Sequence, residues 1–175
     1  GTVANYRPRK GLEILIEAVR DLPGNAPIHF LLVGRGTDHP RLRHRLAASP
    51  FRERFHFPGF RKDACSLMAA CDCSVLPSTK REGLPKTVIE SMAYGVCPVV
   101  TDTGGSAELV VNGESGLVVP PGDASALATA ILRLYEDPSE TRRMGARARQ
   151  RIADNFNIRQ TIDKTLEVYR LALAS

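Results

Sequence analysis

Apolar residues along this chain follow two rhythms, and the alternation between them predicts the fold. Short apolar runs at Thr2 to Tyr6, Ile28 to Val33, Cys73 to Leu76, Pro98 to Thr101 and Leu117 to Val119 read as strands. The second is nearly continuous, and the third, which ends at Pro77, reads as a buried parallel strand, so both should be covered on two faces. Phe55-His56-Phe57 alternates and is ended by Pro58-Gly59, which makes His56 a sheet residue. Between these runs the apolar positions recur at helical spacing. Leu12, Leu15, Ile16 and Val19 form the first such stripe, stopped at Pro23-Gly24. Further helices are expected over Pro40 to Ala48, over Ala64 to Ala70 with Asp63 as cap, and over Thr87 to Tyr94 with Val88, Ile89, Met92 and Ala93 on one face. The remaining ones are Ser106 to Val110, Ala124 to Tyr135, Pro138 to about Asn155, and Ile158 to Leu173. In the last, Ile162, Leu166, Val168 and Tyr169 are candidate contacts.

Six alternations of strand and helix imply an α/β fold: a doubly wound, Rossmann-like parallel sheet of about six strands, with helices on both faces. Ligands in such sheets lie beyond the carboxyl ends of the strands, where the strand order reverses. The Lys10 turn, Gly34-Arg35-Gly36, Gly59-Phe60-Arg61, the Lys80 to Glu90 stretch and Gly104-Gly105 all follow strands and should share that edge. Gly34-Arg35-Gly36 is a poor dinucleotide fingerprint, since no third glycine follows and the strand is not the first.

The stretch from Lys80 to Glu90 carries the chemistry. Pro85 suits the first helical position. The N–H groups of Lys86, Thr87 and Val88 then point out of the helix start, as an anion site requires. Glu82 and Glu90 bracket it. A carboxylate only accepts hydrogen bonds, so acids beside an anion site suit sugar hydroxyls. The bland alternative is a surface pair between Lys86 and Glu90, four apart on one helix and worth about 0.3 kcal/mol.

Composition narrows the class. The chain's 175 residues suit one domain, and 43% hydrophobic with 25% charged residues is ordinary for a globular protein. No apolar run is long enough to span a bilayer. The net charge is +5, from Arg7, Arg9 and Lys10, from Arg35, Arg41, Arg43 and Arg45, and from Arg142 to Arg151, read as a solvated helix face. Aromatics are 6% with no Trp, which argues against nucleic acid and leaves phosphorylated ligands or an anionic membrane surface. Cys65, Cys71, Cys73 and Cys97 form no C-x-x-C and have no histidine at metal spacing, as expected of reduced cytosolic thiols. The chain opens at Gly1, without Met, inside an apolar run, so a piece of a longer protein is expected.

Ordered motifs run along the chain: Arg9-Lys10-Gly11-Leu12, Leu32-Val33-Gly34-Arg35-Gly36, Phe57-Pro58-Gly59-Phe60, Ala70 to Ser78, Glu82 to Ala93, Gly95 to Val100, Gly104-Gly105-Ser106-Ala107-Glu108 and Asn112 to Val118. Together they resemble the carboxyl-terminal, donor-binding domain of retaining GT-B glycosyltransferases (glycosyl transferases group 1, or family 4), a class rich in lipopolysaccharide and exopolysaccharide enzymes. The likeness spans about Val3 to Tyr169.

The resemblance implies roles. Glu82 would lie by the donor sugar and Glu90 on the ribose hydroxyls. Lys10 would meet the diphosphate. Gly34 would belong to the donor site, and backbone after Glu82, at Gly83, Leu84, Lys86, Thr87 and Val88, would hold sugar and phosphate. The backbone at Phe60 and Arg61 would meet the base. Catalysis would rest on Glu82 and Lys10. Two departures stand out. Where the family often has an arginine, this chain has Ala4 and Asn5, so Arg7 or Arg9 would serve the phosphates. Pro85 replaces a frequent glycine and removes one N–H. The resemblance also implies that residues 1–175 lack an amino-terminal acceptor domain, to which the end of the chain, from Tyr169 to Ser175, would cross back. The enzyme would be cytoplasmic, peripheral at the inner membrane face, and would use no metal, in keeping with the lack of an Asp-x-Asp motif, and no cofactor beyond its nucleoside diphosphate sugar. A non-catalytic nucleotide-binding module is the alternative, and a dinucleotide-dependent oxidoreductase ranks last.

Overall fold

The computed structural model describes residues 1–174, and its six strands form two parallel sets. β1 (Thr2–Val3), β2 (Phe30–Val33) and β3 (Phe55–Gly59) pair in the order β1-β2-β3. β4 (Cys73–Leu76), β5 (Cys97–Thr101) and β6 (Leu117–Val119) pair in the order β4-β5-β6. The sets meet between β1 and β4. There the Val75 N–H donates to the Gly1 carbonyl at 2.8 Å, the Gly1 amine to the Cys73 carbonyl at 2.7 Å, and the Thr2 hydroxyl to the Val75 carbonyl at 2.9 Å. This is the slanted bonding of parallel neighbours. The spatial order is therefore β3-β2-β1-β4-β5-β6, the doubly wound arrangement expected from the sequence. Its order reverses between β1 and β4, so the crevice lies past Val3 and Leu76.

Among the described residues the helices are α1 (Leu12–Ala18), α2 (Pro40–Leu46), α3 (Ala64–Ala69), α4 (Lys86–Ala93), α5 (Gly105–Leu109), α6 (Ala124–Glu136), α7 (Pro138–Asn155) and α8 (Ile158–Ala174). Successive strand residues point to opposite faces. Val75 and Val99 thus join a core with Leu12, Leu15 and Ile16 of α1 and Leu127 and Ile131 of α6. Leu76 and Val100 join a second core with Val88 and Met92 of α4 and Ala148 and Ile152 of α7. Cores on both faces explain why β4 and β5 show no polar alternation. Cys97 belongs to the first of these cores, and burial, foremost, pushes its thiol up to about 12, as fits a packing residue.

Several expected details change. β1 is shorter than Thr2 to Tyr6, although the Ala4 and Tyr6 N–H groups still bond the Val33 and Arg35 carbonyls at 2.9 and 2.8 Å. Asp63 occupies the cap position of α3 without capping it, because its carboxylate is taken by the Arg61 guanidinium at 2.8 and 2.7 Å. Pro85 caps α4 from outside with ψ 113, so Lys86 is the first helical residue. Arg151 does not belong to a solvated face: it donates to the Leu109 and Glu108 carbonyls at 2.7 and 2.8 Å and closes the end of α5. In α8 no residue is buried, and Ile162, Leu166, Val168 and Tyr169 are exposed rather than packed. The expected crossing of the chain's end falls partly on Ser175, outside the described residues.

The seam between α7 and the turn before β5 is closed by a missing side chain. A Cβ on Gly145 would lie 2.0 Å from the Gly95 carbonyl oxygen. Replacing glycine by alanine inside an exposed helix stabilises it by about 1 kcal/mol. Here Gly145→Ala should instead lower stability, by about 1–3 kcal/mol as overpacking does. Urea unfolding reads this, and an unchanged or raised midpoint would contradict so close a seam.

Candidate functional site

The crevice is assembled by one contact between the loops after β1 and β4. Past Tyr6 the chain makes a tight turn over Pro8–Lys10, ended by Gly11 at φ 65. A Cβ on Gly11 would lie 1.8 Å from the Pro77 carbonyl oxygen, so only glycine lets this turn press against the end of β4. The Thr79 N–H then donates to the Arg9 carbonyl at 2.8 Å and fixes the two loops together.

That contact brings Lys10 to Glu82. The Lys10 ammonium donates to Glu82 Oε1 at 2.8 Å, the Ser78 hydroxyl donates to the same oxygen at 2.7 Å, and the Arg9 guanidinium stands 3.6 Å from Oε2. Glu82 is only 6% exposed and Ser78 fully buried. The backbone holds the carboxylate in place as well. The Glu82 N–H donates to the Thr103 carbonyl at 2.9 Å and the Gly105 N–H to the Glu82 carbonyl at 3.1 Å. The Thr101 hydroxyl donates to the Ser78 carbonyl at 2.6 Å. Burial opposes ionisation of Glu82, but the hydrogen bonds from Lys10 and Ser78, with the charges of Lys10 and Arg9, together outweigh it and hold the carboxyl below its usual range.

The sequence left Arg7 and Arg9 as equal candidates, and it is Arg9 that reaches this pair. Arg7 is exposed at the start of the turn. At the start of α4 the N–H groups of Lys86 and Thr87 have no partner among the described residues. That of Val88 does not join them, because it donates to the Pro85 carbonyl at 3.0 Å. With Pro85 lacking an N–H, the anion-facing edge is two amides wide. Gly83 and Leu84 lie exposed beside it. Glu90 is half-buried and forms no ion pair with Lys86, so the surface-pair alternative is not realised. It faces Cys65 of α3, whose thiol is pushed up first by burial and then by the Glu90 charge and hydrogen bond.

The rest of the edge lies past β2 and β3. The Gly34 N–H donates to the Gly59 carbonyl at 2.8 Å. Asn5 accepts the Arg35 N–H at 2.9 Å, and the Arg35 guanidinium lies 4.9 Å over the ring of Phe60, which is 58% exposed. Arg61 is turned onto Asp63, so its backbone rather than its charge is offered to a ligand. Sequence reasoning gave no role to Ser78, Thr101, Asn5 or Arg35. Their residue types are common in loops, and only the pairing of distant strands reveals what they hold. A cationic pair, a buried carboxylate, a two-amide helix start and an aromatic platform in one crevice suit a ligand with phosphates, hydroxyls and a flat ring.

The chain is similar to known proteins along most of its length. The sequence model of the family described as Glycosyl transferases group 1 matches residues 1–151. The chain is 32% identical over 168 residues to the lipopolysaccharide core biosynthesis glycosyltransferase LpsE of Rhizobium meliloti, covering 95% of this chain and 48% of that protein. It is 29% identical over 171 residues to the alpha-D-kanosaminyltransferase of Streptomyces kanamyceticus, covering 96% of this chain and 44% of that one. Among solved structures, Anabaena Alr3699/HepE in complex with UDP and glucose matches with a TM-score of 0.86 and 31% identity, over 95% of this chain and 47% of that chain. The same protein in complex with UDP-glucose matches with a TM-score of 0.85. The chain spans less than half the length of these relatives.

The depressed Glu82 carboxyl sets the sign of one pH effect. A carboxyl whose folded value lies below its unfolded one stabilises the fold above the ordinary glutamate value of about 4.3, and the contribution is lost as pH falls through the lowered value. Glu82→Gln removes this titration. The stability difference between the natural chain and Glu82→Gln should therefore be constant near neutrality and move against the natural chain below about pH 4. Urea unfolding at pH 7 and pH 3 measures it, and a pH-independent difference would contradict the depressed value.

Proposed function

The chain belongs to the glycosyl transferases group 1 family, and from that premise we propose that it is the carboxyl-terminal, donor-binding domain of a retaining, metal-independent glycosyltransferase. That enzyme moves a sugar from a nucleoside diphosphate sugar to an acceptor, a cell-surface glycan or lipid. The observation that carries the reading is the 2.8 Å contact of the Lys10 ammonium with the Glu82 carboxylate at the switch in strand order. It puts a cation for phosphate and an acid for sugar hydroxyls side by side. HepE, a structural relative, is seen with UDP and with UDP-glucose, which supports this ligand class.

Lys10 and Arg9 take the diphosphate. Negative charge grows on it as the sugar bond breaks, and fixed cations there lower the barrier without reorganising. The Lys86 and Thr87 N–H groups take phosphate oxygens at the helix start. Glu82 accepts from the donor sugar, Glu90 from the ribose, and the backbone at Phe60 and Arg61 meets the base. Cations at the leaving group do the work a metal ion would do, which supports a metal-independent reaction. The half of the enzyme beyond this chain supplies the acceptor pocket. No helix among the described residues is long and apolar enough to cross a membrane. The arginine-rich α2 suits a cytoplasmic protein that rests on an anionic inner membrane face.

A calorimetric screen of UDP-, GDP- and ADP-sugars against this chain tests the reading, and failure of all three to bind would overturn it. With the competent donor, Lys10→Ala should weaken binding by about 1.5–3 kcal/mol, the scale of one charge-assisted hydrogen bond. Equal affinities would remove Lys10 from the site. Glu90→Gln should weaken nucleotide binding, whereas Glu82→Gln should lower kcat of the full-length enzyme more than it alters donor affinity, as expected of a contact strengthened in the transition state. A change confined to KM would reverse the assignment of Glu82. The isolated chain should bind the donor without transferring its sugar, because positioning the acceptor alone is worth about 7–11 kcal/mol. Transfer at the full-length rate would show the chain to be complete.

A further inference from the structure

The positive charge that a diphosphate needs in this crevice is already held by an internal anion. Lys10 donates one N–H to Glu82 Oε1 at 2.8 Å, Arg9 faces Oε2 at 3.6 Å, and the Ser78 hydroxyl donates to Oε1 at 2.7 Å. Glu82 is 6% exposed, so it cannot swing into water to make way. The ammonium has further N–H donors but a single positive charge, so a phosphate that reaches Lys10 competes with Glu82 for that charge. Resting on the reading of this crevice as a nucleoside diphosphate sugar site, we propose that Glu82 is a built-in competitor for the diphosphate. It makes the site prefer the sugar-bearing donor over the bare nucleoside diphosphate that remains after transfer.

The argument turns on where the two ligands differ. In the donor, the terminal phosphate is esterified, carries one charge and presents sugar hydroxyls beside it. In the product, that phosphate is free, and a second ionisation near about pH 6 makes it more negative at neutrality. A crevice of cations alone would hold the more negative product more tightly and release it slowly. A carboxylate alters the balance because it accepts hydrogen bonds and cannot donate them. When the donor draws Lys10 away, a sugar hydroxyl can donate to Glu82 in its place. When the product draws Lys10 away, Glu82 keeps only Ser78 and the more distant Arg9. It then faces a second anion from within a largely buried position, where repulsion is poorly screened. The exchange is balanced for the donor and unbalanced for the product. No bond is made or broken in it.

Calorimetric titration of the 175-residue chain with UDP, GDP and ADP, and with the glucose ester of each, tests this. The competent nucleotide is used for the comparison. Glu82→Gln keeps the shape and the contact to Ser78 while removing the charge. It should bind the bare diphosphate about tenfold more tightly, as one charge-assisted hydrogen bond is released to the ligand. Affinity for the glucose ester should change by less than about threefold, because the lost hydroxyl contact offsets the freed lysine. Lys10→Met supplies the reverse arm should the first variant fail to fold. With Glu82 charged and its main counterion gone, the bare diphosphate should lose more affinity than the ester. Equal shifts for both ligands in either variant, or no gain for the bare diphosphate in Glu82→Gln, overturn the proposal while leaving the site reading intact. A natural chain that binds none of the six ligands overturns both.

Discussion

The site depends on the approach of one turn to one strand end. Gly11 presses against the Pro77 carbonyl at a distance that no side chain permits, and the Arg9 carbonyl receives the Thr79 N–H beside it. These two loops are about seventy residues apart in sequence and are joined only because β1 and β4 are neighbours at the sheet's centre. The doubly wound order is therefore more than a scaffold. It is the reason a lysine from the first loop and a glutamate from the fourth can form a hydrogen-bonded ion pair. A Cβ at Gly11 would push the turn off β4, and Lys10 would lose Glu82 before any ligand arrived.

Burial then decides the character of the pair. A carboxylate as covered as Glu82 is costly unless its oxygens are satisfied. Ser78 and Lys10 share one oxygen, Arg9 faces the other, and the backbone of Glu82 is fastened to Thr103 and Gly105. The same arrangement that makes the charge tolerable keeps it at the crevice. On the proposed function, stability and chemistry thus draw on one set of contacts. The polar cluster of Ser78, Thr101 and Thr103 lies in the sheet's carboxyl-end layer, where an ordinary core would hold apolar side chains.

How far this was legible in the sequence differs by level. The fold was, because β4 and β5 bury both faces and leave unbroken apolar runs, while α1, α4 and α6 bury one face and keep the helical period. The stretch from Glu82 to Glu90 was legible through its proline, its acids and its place after a buried strand. The choice between Arg7 and Arg9 was not, since it depends on which side of a tight turn meets β4. Nor was the spending of the Val88 N–H on the Pro85 carbonyl, which follows from Pro85 standing outside the helix rather than in it. Asp63 misled for a similar reason. Its carboxylate had two possible partners, the helix N–H groups and the Arg61 guanidinium, and the charged one won. The apolar spacing of α8 predicted a helix correctly but not a packed one, because periodicity reports which face is apolar and not whether anything covers it.

The openness of the crevice bears on the proposed division of work between binding and chemistry. The Lys10 side chain is 17% exposed and that of Arg9 41%, so water reaches the cations although it barely reaches Glu82. At 4 Å two unit charges interact by about 1 kcal/mol in water and about 4 kcal/mol at the effective dielectric near a protein surface. The cations of an open crevice can therefore hold a diphosphate but stabilise little of the charge that develops on it. Covering the crevice would strengthen every one of these interactions without moving a residue of this chain. On the proposed reading the chain supplies the charges, and the coverage that strengthens them comes from the other half of the enzyme. That fits a crevice in which the charges meet around Glu82, while Leu84, Phe60 and the unpartnered Lys86 and Thr87 amides, the parts proposed to face the ligand, lie around it.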